Sequence, residues 1–113
     1  MAAALARSAA LLREDADALD LAAGDLLTTV GPGPYEASVL ARHPAAVRRR
    51  VLRQALVRAG CPAGSLGRAH VLAVDALLTN WRGQGPVSLP GGVRATRASG
   101  MLVLVPRHPN DPT

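Results

Sequence analysis

Apolar residues recur along the first thirty positions at alternating spacings of four and three: Leu5, Ala9, Leu12, Ala16, Leu19, Ala23 and Leu26. This heptad stripe, with Leu at one position and Ala at the other, predicts a helix over residues 3–28. The Gly-Pro-Gly-Pro at 31–34 ends it. Ala in every second seam position makes a weak zipper. The stripe is therefore read as a face packed on a neighbouring helix or domain, with a dimeric coiled coil as the alternative. Glu14, Asp15 and Asp17 fall mid-helix as a solvated face, and Asp15 is a candidate acceptor for an arginine of the next helix.

That next helix is predicted to open at His43–Pro44, with Pro at its first position, and to close at Gly60 before Cys61–Pro62. Plotted at about 100° per residue, Val47, Val51, Leu52, Ala55, Leu56 and Ala59 make one apolar arc. Arg49, Arg50 and Arg53 lie opposite that arc, Arg58 at its margin and Arg48 near its middle. An unpaired buried charge is costly, so an inward Arg48 needs a partner and takes a structural role against Asp15 or Asp75.

A third helix is predicted from Ser65, a candidate N-cap, to Trp81. It is apolar almost all round and is expected to be the most buried element. Within it His70 and Trp81 are read as structural. His70 is a core or capping histidine, because no second ligand stands at metal spacing. The glycine-rich GQGPVSLPGG at 83–92 is not a phosphate loop, since the Lys-Ser/Thr ending and the strand-to-helix context are missing. Period-two patterns then predict three short strands, VSL, VRATR and MLVLV, turning at Pro90–Gly92 and at Ser99–Gly100. Arg94 and Arg97 project from opposite faces of the middle strand, so at least one should be exposed. The tail PRHPNDPT, 106–113, reads as disordered. The expected class is α+β, mainly α: a long N-terminal helix, a two-helix basic core and a small antiparallel C-terminal hairpin or meander.

Composition narrows the function. A chain of 113 residues forms one domain at most, or a piece of a larger one. Aromatics are limited to Tyr35 and Trp81, so the core must be Leu, Val and Ala, and a multi-ring platform for single-stranded nucleic acid is not expected. The single cysteine, Cys61, rules out an internal disulfide framework and is compatible with a reducing cytoplasm. No run reaches the length of a membrane span. The start, MAAALARSAALLR, resembles a transit peptide superficially, but its apolar register continues unbroken into the acidic segment, so it is read as helix.

Charge is distributed unevenly. Residues 1–38 carry two arginines against six acids, whereas residues 39–113 carry eleven arginines against two acids, Asp75 and Asp111. Such asymmetry suits a module that holds a polyanion. Lys, Ile and Phe are absent while Ala, Arg, Gly, Pro, Leu and Val abound, the bias of GC-rich codons. The choice of Arg over Lys is therefore uninformative, but the placement of the arginines is not. The outward triplet Arg49, Arg50 and Arg53 is the first candidate polyanion contact, with Arg94 and Arg97 second. No catalytic or metal-ligating constellation emerges from three His, one Cys and eight scattered acids.

Three segments in order, LARSAALLREDADALD, HPAAVRRRVLRQAL and HVLAVDALLTNWRGQGPVSLPGGVRATRASGMLVL, resemble the C-terminal portion of actinobacterial tRNA(Ile)-lysidine synthases over about residues 3–105. The resemblance implies a linker helix over 1–30 that packs on a catalytic domain outside this sequence, and a tRNA-binding domain over 38–105. It implies ATP-dependent ligation of lysine to the wobble cytidine of an isoleucine tRNA with a CAU anticodon, performed by a PP-loop domain. The Ser-Gly-Gly-x-Asp-Ser signature of that domain is absent here, so this chain is expected to bind tRNA in the cytoplasm without catalysing. It would use no cofactor itself, since ATP and lysine belong to the catalytic domain. Self-association through Leu5, Leu12, Leu19 and Leu26 is a further expected partner mode.

Two other classes compete on the residues alone. A winged helix-turn-helix DNA binder fits the order of helices and hairpin, but its second helix should carry polar residues into the major groove. Here that helix is apolar and the arginines lie on the first. A protein-interaction module would use the heptad helix for dimerisation and the arginine face for an acidic partner.

Overall fold

The heptad segment folds as one unbroken helix, α1 (Ala2–Val30), in a computed structural model that describes residues 2–107. After the Gly-Pro turn come a two-residue strand β1 (Tyr35–Glu36) and a short helix α2 (Ala37–Ala41). Then follow α3 (Ala45–Ala59), α4 (Arg68–Thr79), β2 (Val87–Ser88), β3 (Arg94–Ala98) and β4 (Met101–Val105). The four strands form one antiparallel sheet in the order β1-β4-β3-β2. The mainly helical α+β class expected from the sequence is the observed one. The expected disordered tail lies, from residue 108 onward, outside the described residues.

α3 starts behind Pro44 and ends in the left-handed turn at Gly60, whose φ is +119°. There the Gly60 N–H bonds the Val57 carbonyl at 3.1 Å and the Cys61 N–H bonds the Leu56 carbonyl at 3.0 Å, the paired closure of a Schellman motif. Cys61 thereby enters the core beside the last apolar turn. A second glycine is fixed by crowding: a Cβ on Gly91, φ +77°, would stand 2.6 Å from the Gly60 carbonyl oxygen. The loop before β3 is thus pressed against the end of α3.

The core lies between α3, α4, the C-terminal end of α1 and one face of the sheet. Leu27, Leu40, Leu52, Leu56, Leu77 and Leu102 fill it with almost no exposed surface, as a chain without Phe requires. Ala95 and Leu102 face inward from the β3–β4 hairpin, which turns through Ser99 and Gly100, both at positive φ. The Ala37 N–H bonds the Gly100 carbonyl at 3.0 Å and ties α2 to that turn.

The stripe on α1 divides in two. Ala23 and Leu27 are fully buried, and Ala16, Leu19 and Leu26 are partly buried, where α1 crosses α3. Leu5 and Leu12, each 69% exposed, lie on the part that extends beyond the body. Twenty-nine residues of helix span about 43 Å, which accounts for most of the 53 Å long axis.

Three expectations are corrected. β1 and α2 were not anticipated, because two strand residues and five helical ones carry too little pattern to register. α4 starts at Arg68 behind Gly67, not at Ser65, which lies in a 3₁₀ turn, Ala63–Ser65. It ends at Thr79 because Asn80 leaves helical geometry, and this places Trp81 beyond the helix and on the surface. Nor is α4 buried all round: Ala69 and Ala73 are exposed, while Val71, Val74, Leu77 and Leu78 face the core.

Candidate nucleic-acid interface

α3 carries four of the chain's arginines within six residues, and the fold gives each a distinct environment. Arg48 turns into the core and is 8% exposed, opposite Asp75 of α4, which is 3% exposed. Its Nε donates to Asp75 Oδ1 at 2.5 Å and its Nη2 to Oδ2 at 2.9 Å, a two-pronged pair, while Nη1 donates to the His43 carbonyl at 2.9 Å. Of the two partners considered for Arg48, Asp75 is the one used. Burial alone pushes the Asp75 carboxyl up. Hydrogen bonds and charge from Arg48 and Arg49 outweigh burial and hold it below the ordinary carboxylate value.

The triplet expected on an outward, solvated face sits otherwise. Arg49, Arg50 and Arg53 are half-buried, and each has an acceptor within the chain. Arg49 Nε donates to Asp75 Oδ2 at 3.1 Å. Arg50 Nε reaches Asp20 Oδ1 of α1 at 3.0 Å, and its Nη1 reaches the Ala46 carbonyl at 2.9 Å. Arg53 donates from Nη1 to the Leu66 carbonyl at 2.6 Å and from Nη2 to the Ala63 carbonyl at 2.9 Å, bracing the 3₁₀ turn that precedes α4. The helical plot failed here because α3 is flanked on more than one side: α1 lies along it as well as α4 and the sheet.

These bonds do not exhaust the arginines. A guanidinium offers five N–H donors, and the bonds just described engage at most two in any of the three. They also hold the side chains in place. Two adjoining concavities open beside them. One is lined by Arg50, Arg53 and Arg58, the other by Arg49, Arg50, Arg53 and Arg68, and Asp20 borders both. Five arginines thus converge on one groove, with Asp20 in its lining and Asp75 bonded to Arg49 behind it. Arg58 and Arg68 are exposed, and neither was singled out from sequence. Arg58 was set aside as marginal to the apolar arc, and Arg68 joins the groove only through the crossing of α4 with α3.

The second group of candidates separates across the hairpin. Arg94 is exposed on the outer face of β3, as expected for at least one of the pair. Arg97 lies on the inner face, in line with Val93 and Ala95. Its Nη1 donates to the Leu77 carbonyl at 2.9 Å, and its guanidinium stands 5.4 Å from the Trp81 ring centroid. Arg97 therefore neutralises the carbonyl end of α4, and Trp81 is its partly exposed stacking partner. His70 serves as a cap, its Nδ1 accepting the Gly67 N–H at 2.9 Å at the start of α4.

Burial pushes the Cys61 thiol up, which leaves it a poor nucleophile. Among the described residues no three His, Cys, Asp or Glu side chains come together as a metal site, and no helix is long and apolar enough to cross a membrane. α4 presents Ala69 and Ala73 outward between Arg68 and Thr79, a surface without the polar side chains that a major-groove reading helix needs.

The chain is 50% identical over 103 residues to the tRNA(Ile)-lysidine synthase of Thermobifida fusca (strain YX), an alignment that covers 89% of this chain and 32% of that protein. It is also 50% identical over 103 residues to the tRNA(Ile)-lysidine synthase of Streptomyces coelicolor, covering 89% of this chain and 29% of that protein. Against the Rhodococcus erythropolis enzyme of the same name the identity is 46% over 110 residues, with 92% and 33% covered. The chain spans about a third of the length of these curated relatives. Residues 36–103, from β1 into β4 and including every arginine of the groove, match the model of the TilS substrate binding domain, and the chain belongs to that family.

Proposed function

We propose that this chain is the tRNA-holding part of a tRNA(Ile)-lysidine synthase, and that the arginine groove between α1, α3 and the start of α4 grips the tRNA backbone. The observation that carries this reading is the convergence of Arg49, Arg50, Arg53, Arg58 and Arg68 on one groove, three of them held in place by bonds within the chain. Pre-positioned guanidinium forks match phosphate oxygens in geometry and charge. Contacts of this kind fix the position of a nucleic acid without reading its sequence. Selection of an isoleucine tRNA with a CAU anticodon then draws on contacts elsewhere in the enzyme. So does the ATP-dependent joining of lysine to its wobble cytidine, in the cytoplasm. The exposed leucines of α1, Leu5 and Leu12, are the face offered to the catalytic domain. Self-association through the same stripe is less favoured, because Leu19 and Leu26 are partly covered within the chain and too few free heptad layers remain.

The test is a salt titration of binding between this chain and an isoleucine tRNA transcript. Arg58→Ala combined with Arg68→Ala removes two exposed groove cations and should leave the melting temperature unchanged. Affinity should fall, and the slope of log affinity against log salt should flatten by roughly 1 to 2. An unchanged slope would place the binding surface elsewhere.

A further inference from the structure

We infer that Trp81 is a second RNA contact: a stacking surface for one unpaired nucleobase, beyond the end of α4 opposite to the groove. The inference rests on the tRNA-binding reading above and adds a site to it. Of the two aromatic residues in the chain, Tyr35 is buried in the core, whereas Trp81 is 40% exposed even though Arg97 stands over its ring. That exposure is not needed by the fold. The helix end is closed without help from the indole, since Arg97 Nη1 binds the Leu77 carbonyl and Gln84 Nε2 binds the Asn80 carbonyl at 3.2 Å.

The loop that presents the ring is itself built. Gln84 Oε1 accepts the Arg82 N–H at 2.8 Å, and the Asn80 N–H bonds the Ala76 carbonyl at 2.9 Å, so Trp81 sits between two tied residues. Backbone ties on both sides of Trp81 reduce the freedom the loop loses when a base stacks on the ring. Arg97, anchored to the helix end, backs the ring with a cation.

The charge around this end of the molecule identifies the occupant. Arg82 adjoins Trp81 and is exposed, Arg97 stands over the ring, and the sequence from Ala76 to Arg107 has no acidic residue. A flat π surface flanked by the exposed Arg82 and backed by Arg97 fits a base attached to a phosphodiester backbone. An apolar peptide would offer nothing to the exposed Arg82, and an acidic one would leave the ring unused. One ring accommodates one base, which is consistent with a chain too poor in aromatics to follow a single strand.

Trp81 is the sole tryptophan, so its fluorescence reports the site directly. In a titration of this chain with the isoleucine tRNA transcript, the emission should be quenched in step with binding measured by mobility shift. Trp81→Leu should weaken binding about fivefold or more while the salt slope stays near wild type. Trp81→Phe should restore most of the affinity. tRNA binding with unchanged fluorescence would overturn the stacking site and leave the groove intact. Absence of any salt-dependent tRNA binding would overturn the groove reading, and the stacking site with it. Quenching by an acidic peptide, but not by tRNA, would assign the ring to a protein partner and sink the inference.

Discussion

Removing the Asp75 carboxylate should cost more stability than removing the arginine that faces it. Asp75 accepts three hydrogen bonds, two from Arg48 and one from Arg49, and is almost wholly buried. Asp75→Ala leaves the Arg48 guanidinium inside the protein with the His43 carbonyl as its remaining described acceptor. Stranding one member of a buried pair costs about 3–5 kcal/mol. At roughly 4 °C per kcal/mol for a domain of this size, the melting temperature should drop by roughly 12–20 °C. Arg48→Ala differs, because Arg49 Nε still donates to Asp75 Oδ2 and the side chain stays charged beside it. Its expected cost is about 1–3 kcal/mol, the range for a buried acceptor that loses part of its bonding. Urea unfolding followed by circular dichroism gives both numbers, provided the denaturant slope is unchanged between variants. Arg48→Ala as damaging as Asp75→Ala, or either variant within about 0.5 kcal/mol of wild type, would refute the reasoning.

Two further outcomes follow from the same structure. The Asp75 carboxyl is held below its ordinary value, so its contribution is fully present above the unfolded-state value of about 3.9 and is lost as pH falls through the lower folded-state value. Acid titration of stability should therefore show a falling limb below about pH 4 that is shallower in Asp75→Asn, and identical limbs would remove Asp75 from the acid response. Gly91→Ala should destabilise by about 1–3 kcal/mol, since the new Cβ meets the Gly60 carbonyl and the backbone there is left-handed. A calorimetric melt at the wild-type temperature would show that the loop before β3 yields freely.

Legibility in sequence followed the length over which a pattern repeats. α1 and α3 were readable because their apolar residues recur for four turns or more and because Pro44 and Gly60 mark the limits of α3. Arg48 was readable as inward from its angle on the helix, and the need to neutralise it pointed to Asp75 as one of two partners. The surroundings of Arg49, Arg50 and Arg53 were not readable. A helical plot knows one apolar arc, whereas α3 has α1 beside it, and Asp20 meets Arg50 from thirty positions away in sequence. Arg68 was hidden for the same reason, as its place in the groove is set by how α4 crosses α3. Trp81 was assigned to the helix because nothing local announces that Asn80 breaks it. The closing interactions come in part from Arg97, on a strand that follows much later.

The unbroken course of α1 also makes it a gauge of phase. Each residue of an α-helix advances by about 1.5 Å and rotates by about 100°, and the described part of α1 contains no proline or internal kink to absorb a change. A single residue inserted in its projecting half would therefore swing any body attached ahead of it by more than a quarter turn relative to the arginine groove. Seven inserted residues would return it to within about 20° of its starting direction, displaced along the axis by about two turns of helix. Angular position and distance from the groove are thus separately adjustable by the length of this one segment, with the body of the domain untouched.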